Sequence, residues 1–162
     1  MRTPRSGRAG GEAASVTRRK RVVGAWQSPT ILNNVETYAS VPSIIHDGGA
    51  AFAALGTPKN GGTRLFCLSG HINKPGVYEL PMGFNLLRMI NDVGGGMRNG
   101  RKLKAVIPGG SSCPVLTADE CDVAMDFDSV AKIKSMLGSG GVVIMDEDTC
   151  MVRAMLRIMR FY

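Results

Sequence analysis

The chain has 162 residues, 44% of them hydrophobic, which suits one domain, or one domain with a piece of another, and is ample for a core. Its net charge of +7 has the size of a nucleic-acid signal, but residues 1–21 hold seven Lys/Arg against the single acid Glu12, while the remaining 13 Lys/Arg face 12 acids; the body is nearly neutral, and no nucleic-acid partner is expected. No apolar run approaches the ~20 residues of a membrane span, the basic start lacks the apolar stretch of a secretory signal, and Cys67, Cys113, Cys121 and Cys150 show no CxxC spacing, so reduced thiols in an intracellular chain are expected rather than a metal or disulfide framework.

Residues 1–21 are Arg, Gly, Ser and Ala with almost no apolar side chains, and are expected to be a disordered basic tail because they cannot bury enough surface to offset ordering entropy. In ILNNVETYASVPSII, Asn33 reads as a helix N-cap with Glu36 at the capping-box spacing. Val35, Tyr38, Ala39, Ile44 and Ile45 form the expected buried stripe, Pro42 is expected to kink or restart the helix, and Gly48-Gly49 to close it. A short helix over 50–55 and a linker over 57–62 put a boundary near residue 60.

The stretch Thr63–Pro81 reads strand, turn, strand. Leu65, Cys67 and Ser69 alternate with Phe66, Leu68 and Gly70, so the first arm is apolar on both faces, which fits a strand with neighbours on both sides better than a surface strand. Asn73 to Gly76 is turn chemistry, with Gly76 tolerating positive φ. Leu86, Leu87, Ile90 and Val93 follow helical spacing up to Gly94. Leu103–Ile107 and Gly140–Met145 read as strands, with a short helix over 129–136 between them. The order ββαβ, a short helix and a further strand suits an α+β chain built on a β-grasp, ubiquitin-like sheet. Asp146 to Thr149 reads as an acidic helix start. The helix that follows puts Met151, Met155, Ile158, Met159 and Tyr162 on one face, and Arg153, Arg157 and Arg160 on the other. Its apolar stripe runs to the last residue without a cap, which is expected of a helix that continues.

Residue types alone assemble no catalytic set and no metal site. Pro108 to Ser112 follows a strand but lacks the GxxxxGK[ST] pattern, and reads as a plain turn more readily than as a phosphate loop. The run from Asp119 to Asp128 reads as a solvated face without the ligand order of a calcium loop. His71 reads as a hydrogen-bonding loop residue. Asn33, Asn34 and Thr37 open a helix, where outward N–H groups favour anions, yet a simple cap accounts for the same residues.

Five stretches taken together are more specific: PTILNNVETYASVPSII, LGTPKNGGTRLFCLSGHINKPGVYELP, LKAVIPGGSSCPVL, AMDFDSV and MLGSGGVVIMDEDTCMVRAMLRIMRFY. From about Val23 to Tyr162 the chain resembles the NADH-binding flavoprotein subunit of bacterial respiratory complex I, the proton-pumping NADH:quinone oxidoreductase. The resemblance implies that residues 22–60 end an FMN- and NADH-binding domain. It implies a β-grasp domain of the soluble-ligand-binding (SLBB) type over 61–147, and the start of a helical bundle carrying a [4Fe-4S] cluster over 148–162. It gives Leu32, Asn33, Asn34 and Thr37 a place at the FMN site, and implies hydride transfer from NADH to FMN, with electrons passed on to iron–sulfur centres. The implied partners are the [2Fe-2S] subunit and the large iron–sulfur subunit of the peripheral arm. The implied location is the cytoplasmic face of the bacterial inner membrane, with membrane contact only through the complex.

The family's glycine-rich flavin and NADH segments and its CxxCxxC motif are absent from these residues. Cys113 and Cys121 stand where other residues are usual, and Phe84 replaces a polar helix cap. The chain alone is therefore expected not to be catalytic. A stand-alone β-grasp binding module, and the flavoprotein subunit of a soluble NAD-linked hydrogenase or formate dehydrogenase, are the alternatives.

Overall fold

The computed structural model describes residues 25–162, so the expected tail over 1–21 lies outside the described residues. The chain divides into two units between His46 and Asp47.

In the first unit a 3-10 turn, Ala25–Gln27, and a run without regular structure lead into helix α1, Val35–Asp47. Its cap is Asn34 rather than the expected Asn33. Asn34 Oδ1 accepts from the amides of Glu36 at 2.8 Å and Thr37 at 3.4 Å, while Asn33 Oδ1 accepts from the Asn34 amide. With Val35 as first helical residue, Glu36 falls one position short of the capping-box place. Pro42 does not divide the helix: it forfeits the bond to the Tyr38 carbonyl, and the turns around it stay helical. Ser40 and Ser43 hydroxyls add bonds to the carbonyls of Glu36 and Ser40. The expected stripe is not buried; Val35 and Ile45 are exposed and Ile44 is half-buried. Among the described residues this unit holds no second long element to cover it.

In the second unit a short helix α2, Gly49–Ala53, leads to the hairpin of β1, Thr63–Gly70, and β2, Gly76–Pro81, paired antiparallel with Cys67 opposite Val77. Helix α3, Leu86–Arg88, is capped by Asn85, whose side chain accepts from the Arg88 amide, and widens into a π-helical turn over Met89–Val93. Then come β3, Leu103–Ile107, and the two-residue β4, Leu116–Thr117. Helix α4 is Phe127–Lys132, β5 is Gly141–Asp146 and α5 is Met151–Met159. Helix α4 starts two residues before the expected point because Asp126 caps it, accepting from the Ser129 amide at 2.7 Å, and it ends early as Lys134 turns to positive φ.

The sheet runs β2-β1-β5-β3-β4, with β1 and β5 parallel at its centre and every other pair antiparallel. This is the β-grasp arrangement that the element order predicted. One sheet face presents Phe66, Leu68, Val106, Val142 and Ile144 to Leu86, Met89 and Ile90 of the grasped helix, all buried. The opposite face presents Ala105, Ile107 and Met145, which pack under Met151, Ala154 and Ile158 of α5.

Two expectations fail here for one reason. Strand β1 has the expected strand neighbours on both edges, but its second apolar face is uncovered: Leu65 and Cys67 are exposed. Helix α5 covers only the β3–β5 half of that side, and it does so with Met151, Ala154 and Ile158, leaving Met155, Met159 and Tyr162 exposed. The backbone also relocates the permissive glycine. Gly76 simply opens β2, whereas Gly70 takes φ +93°, and a Cβ there would collide with the Ile144 carbonyl oxygen.

Candidate functional site

Leu32, Asn33, Asn34 and Thr37 sit together at the N-terminal end of α1, all exposed. The Asn34 carboxamide is used from one side only. Its oxygen satisfies two amides of the first helical turn, and its NH₂ has no acceptor among the described residues, nor has that of Asn33. The surface thus offers carboxamide donors, with the Leu32 side chain beside them. It is not an open phosphate cradle, because the Glu36 and Thr37 amides already serve Asn34. These residues fit the role of an edge contact to a planar polar ring such as a flavin.

A second polar cluster lies where β5 meets α5. Asp146 is the last residue of β5 and is 2% exposed. Its Oδ2 accepts from Arg101 Nη1 at 2.9 Å and its Oδ1 from the Thr149 hydroxyl at 2.9 Å. His71 Nδ1 lies 3.3 Å from Oδ1, and the Asp146 amide donates to that same nitrogen. Arg101 Nη1 also reaches Asp148 at 3.0 Å. The Arg101 hydrogen bond holds the Asp146 carboxyl below the usual carboxylate range against its desolvation, with help from Thr149 and His71. Lys104 Nζ ties down the carbonyls of Glu147 and Thr149. The acidic run is therefore not a helix start: Asp146 belongs to the strand, and Cys150 occupies the N-cap position of α5. His71 is the hydrogen-bonding loop residue expected, linking the end of β1 to this cluster. The role of Arg101 was not legible, because its two carboxylate partners are 45 and 47 residues away.

The thiols lie apart. Cys121 is buried, and burial reinforced by Glu120 pushes its thiol up to about 12. Burial also raises the Cys113 thiol, opposed by a backbone contact to Gly109. Cys150 is exposed, and the amides of Arg153 and Val152 lower its thiol below the ordinary value. Among the described residues no three His, Cys, Asp or Glu side chains converge as metal ligands. A [4Fe-4S] cluster requires four thiolates, so the residues present do not fit one. Pro108 and Gly109 are buried, and the Gly109 carbonyl accepts from the Ser139 amide and hydroxyl, while Ser111 and Ser112 are exposed and the Ser111 hydroxyl meets that of Tyr162. Within the expected solvated run, Asp126 is buried and serves as a cap.

Residues 64–145 match the family model of the SLBB domain. Over 141 residues the chain is 51% identical to the second F subunit of NADH-quinone oxidoreductase in Rhizobium meliloti (strain 1021), covering 87% of this chain and 34% of the relative. It is 47% identical over 140 residues to the corresponding F subunit of NADH-quinone oxidoreductase in Rickettsia typhi, covering 86% and 33%. It is 49% identical over 129 residues to HndC, a subunit of the NADP-reducing hydrogenase of Solidesulfovibrio fructosivorans, covering 80% and 26%. Among solved structures, an NAD+-reducing [NiFe]-hydrogenase in the air-oxidized state is similar with a TM-score of 0.71 and 30% identity, over 89% of this chain and 25% of that one. The chain thus spans a quarter to a third of the length of these relatives.

Proposed function

The chain belongs to the SLBB domain family, and from that membership we propose that it forms the SLBB part of an NADH-oxidising flavoprotein subunit of the NADH:quinone oxidoreductase kind. The observation that carries the reading is the extent of likeness. The 51% identity runs over 141 residues, well beyond the 64–145 of the domain itself, so the likeness takes in sequence outside the domain as well. In this reading residues 22–60 end a flavin- and NADH-binding domain, 61–147 form the SLBB body, and 148–162 open an iron–sulfur helical bundle. A soluble NAD-linked hydrogenase is the second reading, favoured by the 49% identity to a hydrogenase subunit and by the fold match to another hydrogenase.

Bound FMN would supply the hydride acceptance and one-electron release. This chain's own contribution would be positioning: Asn33 and Asn34 would offer carboxamide donors to the ring, with exposed Leu32 and Thr37 near them at the start of α1. The cluster ligands belong to other residues of the subunit. The partners are the [2Fe-2S] and large iron–sulfur subunits, and the location is the cytoplasmic face of the inner membrane, reached through them.

The chain holds only an edge of the flavin site. Lacking even three polar contacts, at ~1 kcal/mol each, lowers affinity by roughly a hundredfold or more. Purified residues 1–162 are therefore expected to come out colourless and not to reduce ferricyanide with NADH; a yellow, active sample refutes the edge-only assignment. A chimaera carrying residues 23–162 in place of the matching stretch of the Rhizobium meliloti protein is expected to retain FMN and NADH–ferricyanide activity. A chimaera that folds by circular dichroism but holds no flavin refutes the flavoprotein reading.

A further inference from the structure

Between helix α5 and the end of β1 lies an open cleft of about 480 Å³, lined by His71, Cys150, Arg153, Leu156, Arg157 and Arg160 among others. We propose that this cleft docks an acidic segment of a partner protein, with carboxylates laddered along Arg153, Arg157 and Arg160.

Charge is the first argument. Among the described residues no carboxylate pairs with any of the three arginines. The nearest acids in sequence have other partners: Asp146 and Asp148 serve Arg101, and Glu147 accepts from the Lys102 amide. The helix dipole favours cations at the C-terminal end, where Arg157 and Arg160 lie, but like charges at i,i+4 repel and no described carboxylate neutralises them. A helix bearing three unneutralised guanidinium groups along one cleft is complementary to carboxylates, which each guanidinium fork can take in bidentate fashion.

Spacing is the second. At ~1.5 Å rise per residue, Arg153 and Arg157 stand about 6 Å apart along the axis, and Arg157 and Arg160 about 4.5 Å. Alternate side chains of an extended segment repeat every ~6.7 Å. An acid-x-acid stretch therefore meets Arg153 and Arg157 in register, and flexible Arg160 can follow. Ala154 and half-exposed Leu156 give the cleft an apolar component that suits the intervening side chain. The same features disfavour nucleic acid, because no Phe, Tyr or Trp lines the cleft to stack a base.

The test does not depend on flavin or NADH, so it stands or falls apart from the function proposed above. A fluorescein-labelled (Glu-Ala)₆ peptide and its (Gln-Ala)₆ analogue are titrated by anisotropy against the full 162-residue protein. The Glu peptide is expected to bind, with about tenfold or greater loss in the Arg153→Gln/Arg157→Gln/Arg160→Gln variant, from three exposed pairs. An Arg88→Gln control, whose arginine already pairs with Asp92, is expected to bind as the parent does. Residues 1–21 are present throughout and contribute equally. Bound Glu peptide is also expected to slow alkylation of Cys150, which lines the cleft, and not of exposed Cys67 on β1. Should the triple variant fail to fold, Arg157→Gln alone is expected to show a several-fold loss. Equal binding by the variants, unchanged Cys150 alkylation, or tighter binding of a single-stranded oligonucleotide of matched charge each refutes the proposal.

Discussion

Helix α5 offers a direct contest between periodicity and packing. Spacing alone groups Met151, Met155, Ile158 and Met159, while in the fold Met151, Ala154 and Ile158 meet the sheet and Met155 is 55% exposed. Ile158→Ala removes three carbons. At ~0.8 kcal/mol per buried methylene and roughly half burial this costs about 1.2 kcal/mol, and Ala returns a few tenths through its better helix propensity. The net loss is about 1 kcal/mol, or a fall of roughly 3–5 °C in Tm for a unit of this size. Met155→Ala loses little burial and regains propensity, so its Tm is expected to stay within about 1 °C of the parent. Thermal denaturation followed at 222 nm, with a urea series to show an unchanged m value, reads both variants. A loss for Met155→Ala equal to or larger than that for Ile158→Ala refutes the packing described for α5.

Three further outcomes follow from the polar sites. Because the folded Asp146 carboxyl titrates below its unfolded value, its stabilisation is complete above the ordinary carboxylate range and is lost as pH falls through the lowered folded value; Asp146→Asn is therefore expected to flatten the acid limb of stability below about pH 4, measured by urea midpoints against pH. Iodoacetamide at mildly alkaline pH, read by site-resolved mass spectrometry, is expected to modify Cys150 well before Cys121, whose thiol stays protonated and buried until the chain unfolds. Asn34→Ala removes the α1 cap, at about 1 kcal/mol of helix stability, and is expected to raise amide exchange in the first turn of α1 more than Asn33→Ala does.

The β-grasp order was legible because each long strand carries its own signal: short apolar-rich runs bounded by glycine or turn residues for β1, β2 and β5, and the five apolar-rich residues of β3. What was not legible depends on what lies across from each residue. The outward face of β1 looks as apolar as its inward face, yet only Phe66 and Leu68 meet the grasped helix, because α5 reaches just the β3–β5 half of the other side. Strand β4 is two residues long and pairs only at Ala105–Thr117 and Val106–Leu116, too short for any periodicity. Asp146 read as a helix-dipole acid because its true partner, Arg101, arrives from a loop before β3. The π turn after Arg88 likewise answers to packing: the wider turn brings the Gly94 amide to the Met89 carbonyl at 2.9 Å while Met89 and Ile90 stay buried.

The start of α1 shows why residue type alone left cap and ligand site unresolved. Ser, Thr, Asp and Asn all cap by accepting from the first-turn amides, but they differ in what they show to the outside. Asp would add a full negative charge, and Ser or Thr a single hydroxyl. Asn34 spends its oxygen on the Glu36 and Thr37 amides, and its neutral NH₂ has no acceptor among the described residues. Asn33 repeats the arrangement by spending its oxygen on the Asn34 amide. Two carboxamides thus satisfy backbone donors that would otherwise seek an anion, and turn the end of the helix from an acceptor-hungry pole into a neutral donor edge. That edge suits neutral carbonyl or ring-nitrogen acceptors better than a phosphate, as the proposed flavin contact requires. The oxygen of each side chain thereby fixes the direction in which its nitrogen points.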